Sequence, residues 1–418
     1  MQFSFPITRR DSLKVMGSAL SVKTQYSFRR GFAVRERTTT HLSPLLRRKL
    51  VSEEEVLCEI VRDASWHAVE KLIQEVVWRI YWKGYLLRNP TIWTEYLSSL
   101  AIFEERLTLD PRLTAIDTLS TKVISSTSEF ECMNRWAREL RETGYLHNHE
   151  RMWFASVWIH TLKLPWELGA RFFMEHLLDG DPAANTLSWR WVAGLHTQGK
   201  TYLATADNIK KYTEGEIDVP HKLLATTPNA APSLSAFVPL VDRFASHTTF
   251  NETAAEIKRS TSRCALVLTH EDVLPESFMV GEWRPEAVVI LSPHYPPHHL
   301  TSDALRQYDN SVVEDLRQRV ATLCSGSSIV FVEDFAQLEA IIQETRISSV
   351  VVPRIFCGPY SPMAALLARL SAESGIRIIE LVRGVEAALT PYATRGFFPF
   401  WQKSEPYLRT LLVGECRE

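Results

Sequence analysis

Between Thr143 and Trp191, polar side chains with defined chemistry alternate with tryptophans, a mixture that a plain hydrophobic core does not need. Asn148 and Arg151 lie three apart and share a helical face, Asp179 and Asp181 flank Gly180, and Asn185 follows within about one further turn. One concave site can collect all five, offering charge pairing and amide hydrogen bonding among aromatic rings. A second cluster lies upstream: Glu75, Trp78, Arg79 and Trp82, spaced i, i+3, i+4, i+7, put a carboxylate, two rings and a guanidinium on one face. The plain alternative is an amphipathic helix whose tryptophans are core. A third cluster, Thr39, Thr40 and Ser43, supplies hydroxyls that suit a pyrophosphate at a helix start, or equally a Thr-rich N-cap.

The elements that must carry these groups change character along the chain. From about 50 to 212 apolar residues recur at helical spacing, with helices expected over 53–63, 68–87, 129–143, 150–161 and 166–178, and Pro90, Pro111 and Pro165 at breaks or first turns. A loop-like linker follows around 220–239. Beyond it short β-branched runs at 264–269, 287–291, 328–333, 349–353 and 376–381 alternate with helical stretches at 303–323, 335–344 and 362–374. That alternation predicts a parallel sheet with helices on both faces. No Gly-rich dinucleotide or triphosphate fingerprint follows any of these strands.

At 418 residues, two domains are expected. Net charge is −2, yet the first fifty residues are lopsidedly basic, with Arg29, Arg30, Arg35, Arg37, Arg47, Arg48 and Lys49 among them, which suits a polyanion or a solvated basic face. The six cysteines show no CxxC spacing, so neither a zinc site, an iron–sulfur cluster nor a disulfide framework is expected, and no metal site is assigned. Arg9 and Arg10 precede an apolar run that Gly17, Ser18 and Lys23 break up, so neither export nor a membrane span is expected, and the expected setting is a reducing cytoplasm.

The order HNxxRM, DGDxAxN and WxW over residues 147–191 resembles the flavin-binding helical domain of the DNA photolyase/cryptochrome superfamily. The helix EKLIQEVVWRIYWKGYL (70–86) resembles the ExxWR helix of its cyclobutane-dimer photolyases, and YSFRRGFAVRERTTTHLS (26–43) its Tyr-xxx-Arg segment and phosphate loop; Gly31 departs from the aspartate common there, and Thr40 from the more usual serine. The segment ALTPYATRGFFPFWQKS (388–404) is similar to the stretch that leads out of the α/β domain in that family, but it lies near the C-terminus here. The resemblance therefore implies a permuted two-domain chain: an all-helical FAD-binding domain at 1–230, then a Rossmann-like, antenna-type α/β domain at 240–418.

By the same resemblance, FAD is the cofactor, held by Tyr26, Thr39, Thr40, Leu42, Ser43, Arg79, Asn148, Arg151, Asp179, Asp181 and Asn185. Asn185 would face the flavin N5, the Arg151–Asp179 pair would tune the ring unless it is merely structural, and Trp189 and Trp166 match the inner and middle tryptophans of an electron chain whose outer member has no clear counterpart. Glu75 would bond the bases of a flipped lesion, Trp78 and Trp191 would wall it in, Arg30 and its basic neighbours would contact DNA, and Met152 points to cyclobutane dimers. The implied function is that of a deoxyribodipyrimidine photo-lyase, a carbon–carbon lyase acting as a monomer on damaged DNA in blue light. No residue pattern assigns an antenna pigment. The rivals are a cryptochrome-like photoreceptor with FAD but no repair, and a helical interaction protein with no cofactor.

Overall fold

A computed structural model describes residues 5–34, 38–197, 200–237, 244, 247–249, 263–279, 283–345 and 347–415. Arg35, Arg37 and Cys416 lie outside that set, as do 238–243 of the expected linker and domain start. The first half is helical: α1 Arg9–Leu20, α2 Tyr26–Arg29, α3 Ser43–Arg47, α4 Glu53–Val61, α5 Trp66–Arg88, α6 Thr91–Arg106, α7 Pro111–Ile124, α8 Glu131–Thr143, α9 Asn148–Ser156, α10 Trp166–His176, α11 Pro182–Val192 and α12 Ala206–Tyr212. Local chemistry sets the starts. Ser52 and Glu55 form a reciprocal capping box on α4, while Asp110 and Asp181 cap α7 and α11, each followed by a proline at the first helical position. The helix expected over 150–161 is α only to Ser156. Val157–Thr161 is π-helical, and the Asn229 side chain reaches in to donate to the Ile159 carbonyl.

The second half is the expected parallel sheet. Strands β1 Cys264–Leu268, β2 Ala287–Leu291, β3 Ser328–Val332, β4 Ser349–Pro353 and β5 Arg377–Leu381 run in the order β3-β2-β1-β4-β5, with Leu266 opposite both Val288 and Val351. Helices α13 Asp303–Leu323, α14 Phe335–Glu344 and α15 Ser361–Ser374 cover its faces. Period-two alternation sorts β1 cleanly. Ala265 and Val267 join a core with Leu338 and Leu367 of α14 and α15, while Leu266 and Leu268 join one with Val312 and Leu316 of α13.

That second core does not stop at the sheet. It runs on into Leu45, Leu57, Ile73 and Val77 of the helical half, and into α16 Gly384–Leu389 and α17 Phe397–Glu415, which leave the sheet and pack on α4 and α5. We propose 230–240 as the covalent joint between the halves, whose buried cores are nonetheless continuous. Gly358 marks how close they come, since a Cβ there would sit 2.8 Å from Pro182 Cγ.

Two expectations need correction. Arg47, Arg48 and Lys49 do not form a solvated basic patch: each is 2% exposed, in the seam between the halves. Arg47 pairs with Glu271, Arg48 with Asp309, and Lys49 with the nearby Glu53 and with Glu386; three of these four carboxylates come from the second half of the chain and neutralise the run there. Second, Cys58 is disulfide-bonded, whereas Cys132, Cys264, Cys324 and Cys357 are free and buried. No helix among the described residues is long and apolar enough to cross a membrane, and no cluster of metal-ligating side chains occurs among them.

Candidate functional site

Helices α5, α9 and α11 converge on a set of buried charges. From α9, Arg151 donates to Asp179 Oδ2 at 2.8 Å and to the Leu146 carbonyl at 2.9 Å, and its guanidinium lies 5.3 Å from the centroid of the Tyr145 ring. Burial pushes the Asp179 carboxyl up, but Arg151, aided by the Ser43 hydroxyl, brings it below the usual carboxylate range. Asp181 spends Oδ1 on the Ala183 and Ala184 amides at the start of α11, while its Oδ2 sits 3.7 Å from Lys83 Nζ and 3.9 Å from Arg79 Nη2. Arg79 lies between two carboxylates, with Glu53 Oε1 3.8 Å from its Nε. Asn185, one turn into α11, donates from Nδ2 to the Ala170 carbonyl at 2.9 Å, which leaves the amide oxygen as its accepting end.

The other cofactor candidates surround this group unevenly. The Thr39 hydroxyl is 3.4 Å from the Tyr145 hydroxyl, Leu42 is buried, and Ser43 begins α3. Tyr26 hydrogen-bonds Arg30, which in turn pairs with Glu75. Burial raises the Glu75 carboxyl and Arg30 opposes that shift. Asn148 stands apart from the buried set: it is exposed, and its amide donates to Met152 Sδ at 3.9 Å.

Trp78 lies flat against Phe397 of α17, with ring centroids 3.6 Å apart and planes at 6°. Trp191 stacks with Tyr202 at 5.9 Å. Trp166 on α10 and Trp189 on α11 belong to a packed helix pair, and Trp189 lies over Gly169 of α10, where a Cβ would sit 2.3 Å from its Cη2. Gly169→Ala should therefore force the indole aside and cost about 1–3 kcal/mol, read by thermal unfolding; an unchanged midpoint would sink this packing argument.

Residues 72–219 match the FAD-binding domain of DNA photolyase. That stretch of the chain is thus similar to the flavin-binding domain of the photolyase/cryptochrome superfamily. The chain is 30% identical over 185 residues to a deoxyribodipyrimidine photo-lyase of Streptomyces griseus, covering 41% of this chain and 38% of that one. Against the photo-lyase of Salmonella typhimurium it is 45% identical over 65 residues, 16% of this chain and 14% of the other. The matches thus span well under half of these relatives' length. A class III photolyase structure from Agrobacterium tumefaciens superposes with TM-score 0.40 at 21% identity, covering 49% of this chain and 42% of that one.

The residues present fit the FAD of a photolyase/cryptochrome domain. Arg79 Nε and Nη2, Asp179 Oδ1 and Asp181 Oδ2 are buried without hydrogen-bond partners, an arrangement that folding alone would avoid and a polar ligand would satisfy. Lys49, expected from the sequence to meet a polyanion, belongs to the charge cluster, and Lys83, Glu53 and Glu386, which the sequence reading does not mark, complete it. Of these only Lys83 carried a local signal, being one turn beyond Arg79 on the same face of α5.

Proposed function

We propose that this chain is a light-driven DNA repair enzyme that splits cyclobutane pyrimidine dimers. The observation that carries the reading is the pairing of Arg30, at the end of α2, with Glu75 on the face of α5 that also bears Trp78 and Arg79, all three of the latter within the stretch that matches a photolyase FAD-binding domain. In this reading Arg79, Asp179, Asp181 and Asn185, with Tyr26, Thr39, Thr40, Leu42, Ser43, Asn148 and Arg151, hold FAD. When bound, that cofactor supplies an electron to the lesion in blue light and takes it back. The chain supplies everything else: Arg151 keeps Asp179 ionised, Asn185 presents an amide oxygen, and Glu75 offers hydrogen bonds to the lesion bases. A stacked base cannot reach this depth, so the dimer leaves the duplex and is held between Trp78 and Trp191 beside Met152. Damaged DNA is thus the proposed partner of a monomeric protein.

Phe397 already occupies one face of Trp78, so a lesion would have to use the part of the ring that Phe397 leaves uncovered. That internal stack is what favours the second reading, a photoreceptor with the same cofactor and no repair. Blue light on a thymine-dimer oligonucleotide with the FAD-reduced protein separates the two. Repair predicts loss of dimer, slowed about 10- to 100-fold in Glu75→Ala, the worth of a hydrogen bond to a charged group. Persistent dimer with the wild-type protein would overturn the repair reading in favour of the receptor.

A further inference from the structure

The outer end of the tryptophan relay has no sequence counterpart, but Trp166 has a close aromatic neighbour. Tyr96 of α6, 1% exposed, stacks on Trp166 with centroids 5.5 Å apart and planes at 26°. Its hydroxyl lies 2.8 Å from Nε2 of His299, in the loop between β2 and α13. Nδ1 of His299 is 2.8 Å from the Pro297 carbonyl, which can only accept. The imidazole proton is therefore on Nδ1, Nε2 bears the lone pair, and the phenol is the donor.

Two features of Trp166 push an electron vacancy onward. Its indole N–H is buried with no acceptor, so an oxidised Trp166 has nowhere local to put its proton. The Arg190 guanidinium, 5.7 Å from the ring centroid, disfavours a second positive charge there.

From this geometry we infer that Tyr96 is the terminal electron donor of the relay and His299 its proton acceptor. The inference rests on the FAD binding proposed above: oxidised FAD, when bound and photoexcited, would be the oxidant that draws an electron from Trp189 and, through it, from Trp166. One electron passes from Tyr96 to oxidised Trp166, restoring the neutral indole. The Tyr96 O–H bond breaks, its proton forms an N–H bond at His299 Nε2, and a neutral tyrosyl radical and an imidazolium remain. A small thiolate returns the electron, leaving as a thiyl radical, and His299 returns the proton. Burial raises the Tyr96 phenol, Arg171 opposing and Glu175 and Glu167 reinforcing, so ionisation to water is closed. His299 is pushed down to about 4 by burial, against the Pro297 hydrogen bond and with Arg171 and His298 adding to the fall, so it is neutral and able to accept at physiological pH. The α/β half thereby completes a redox path that starts in the helical half.

The test is low-temperature and time-resolved spectroscopy of the FAD-loaded full chain after a flash. Wild type should give a tyrosyl radical that Tyr96→Phe abolishes. His299→Gln keeps a hydrogen-bond acceptor but not a base, so it should slow Tyr96 oxidation about 100-fold and remove its solvent deuterium effect. A tyrosyl signal that survives Tyr96→Phe, or only tryptophan radicals in wild type, would overturn the inference. Nitrogen NMR of the FAD-free protein provides a second readout: a His299 proton on Nε2 rather than Nδ1 overturns it too, whether or not FAD binds. Tyrosyl formation without dimer repair would remove the repair reading and leave this one standing.

Discussion

Replacing Asp309 with alanine should destabilise the fold by about 3–5 kcal/mol, the usual result of leaving a buried charge without its partner. Asp309 is fully buried on α13 and accepts from Arg48 Nε at 2.6 Å, Arg48 Nη2 at 3.1 Å and the Tyr295 hydroxyl at 3.1 Å. Arg48 is itself 2% exposed and already has Nη1 unpartnered, so no other acceptor is at hand. The loss belongs to the guanidinium left behind rather than to the net worth of the bond. A double variant, Arg48→Met with Asp309→Leu, should therefore recover most of it. Denaturant unfolding of Arg48→Met, Asp309→Leu and the double makes the cycle. If Asp309→Ala loses less than about 1 kcal/mol, the seam is wetter than its burial implies and this account of how the halves are joined fails.

That pair also shows where sequence reading stops. Arg48 and Asp309 are 261 residues apart, Arg47 and Glu271 are 224 apart, and Tyr96 and His299 are 203 apart. No local spacing connects such residues, so a basic run at 47–49 looks solvated until the sheet is docked against it. The five strands, by contrast, fall within a residue of where their β-branched runs place them, because period and composition are set by near neighbours. The π segment at Val157–Thr161 escaped because five residues are too few to separate its period from that of an α-helix. Within the site, the pairing of Arg151 with Asp179 follows from residue types, but the exposure of Asn148 does not. Residue type says what a side chain can bond, and only the packed helix says which way it faces.

Asp181→Asn isolates the charge at the centre of the site. Asparagine can still cap α11 through its side-chain oxygen, as Asp181 Oδ1 does for the Ala183 and Ala184 amides, so the helix start should survive. What changes is the second atom. Oδ2 is buried without a hydrogen bond and faces Lys83 and Arg79, and an amide NH2 there would add a donor to a place already crowded with donors. Burial raises the Asp181 carboxyl, but Lys83, Arg47 and Arg79 together hold it well below the usual carboxylate range. Because the folded value is depressed, its contribution to stability is present above the unfolded value of about 3.9 and is lost as pH falls from there through the folded one. The stability gap between wild type and variant should thus hold steady from about pH 8 to 5 and narrow in stronger acid. If Oδ2 also accepts a hydrogen bond from FAD, cofactor affinity should fall about 10- to 100-fold, read as flavin retained by equilibrium dialysis at pH 7. A variant that is less stable yet keeps FAD as tightly as wild type would assign Asp181 to the seam between the halves and remove it from the cofactor set.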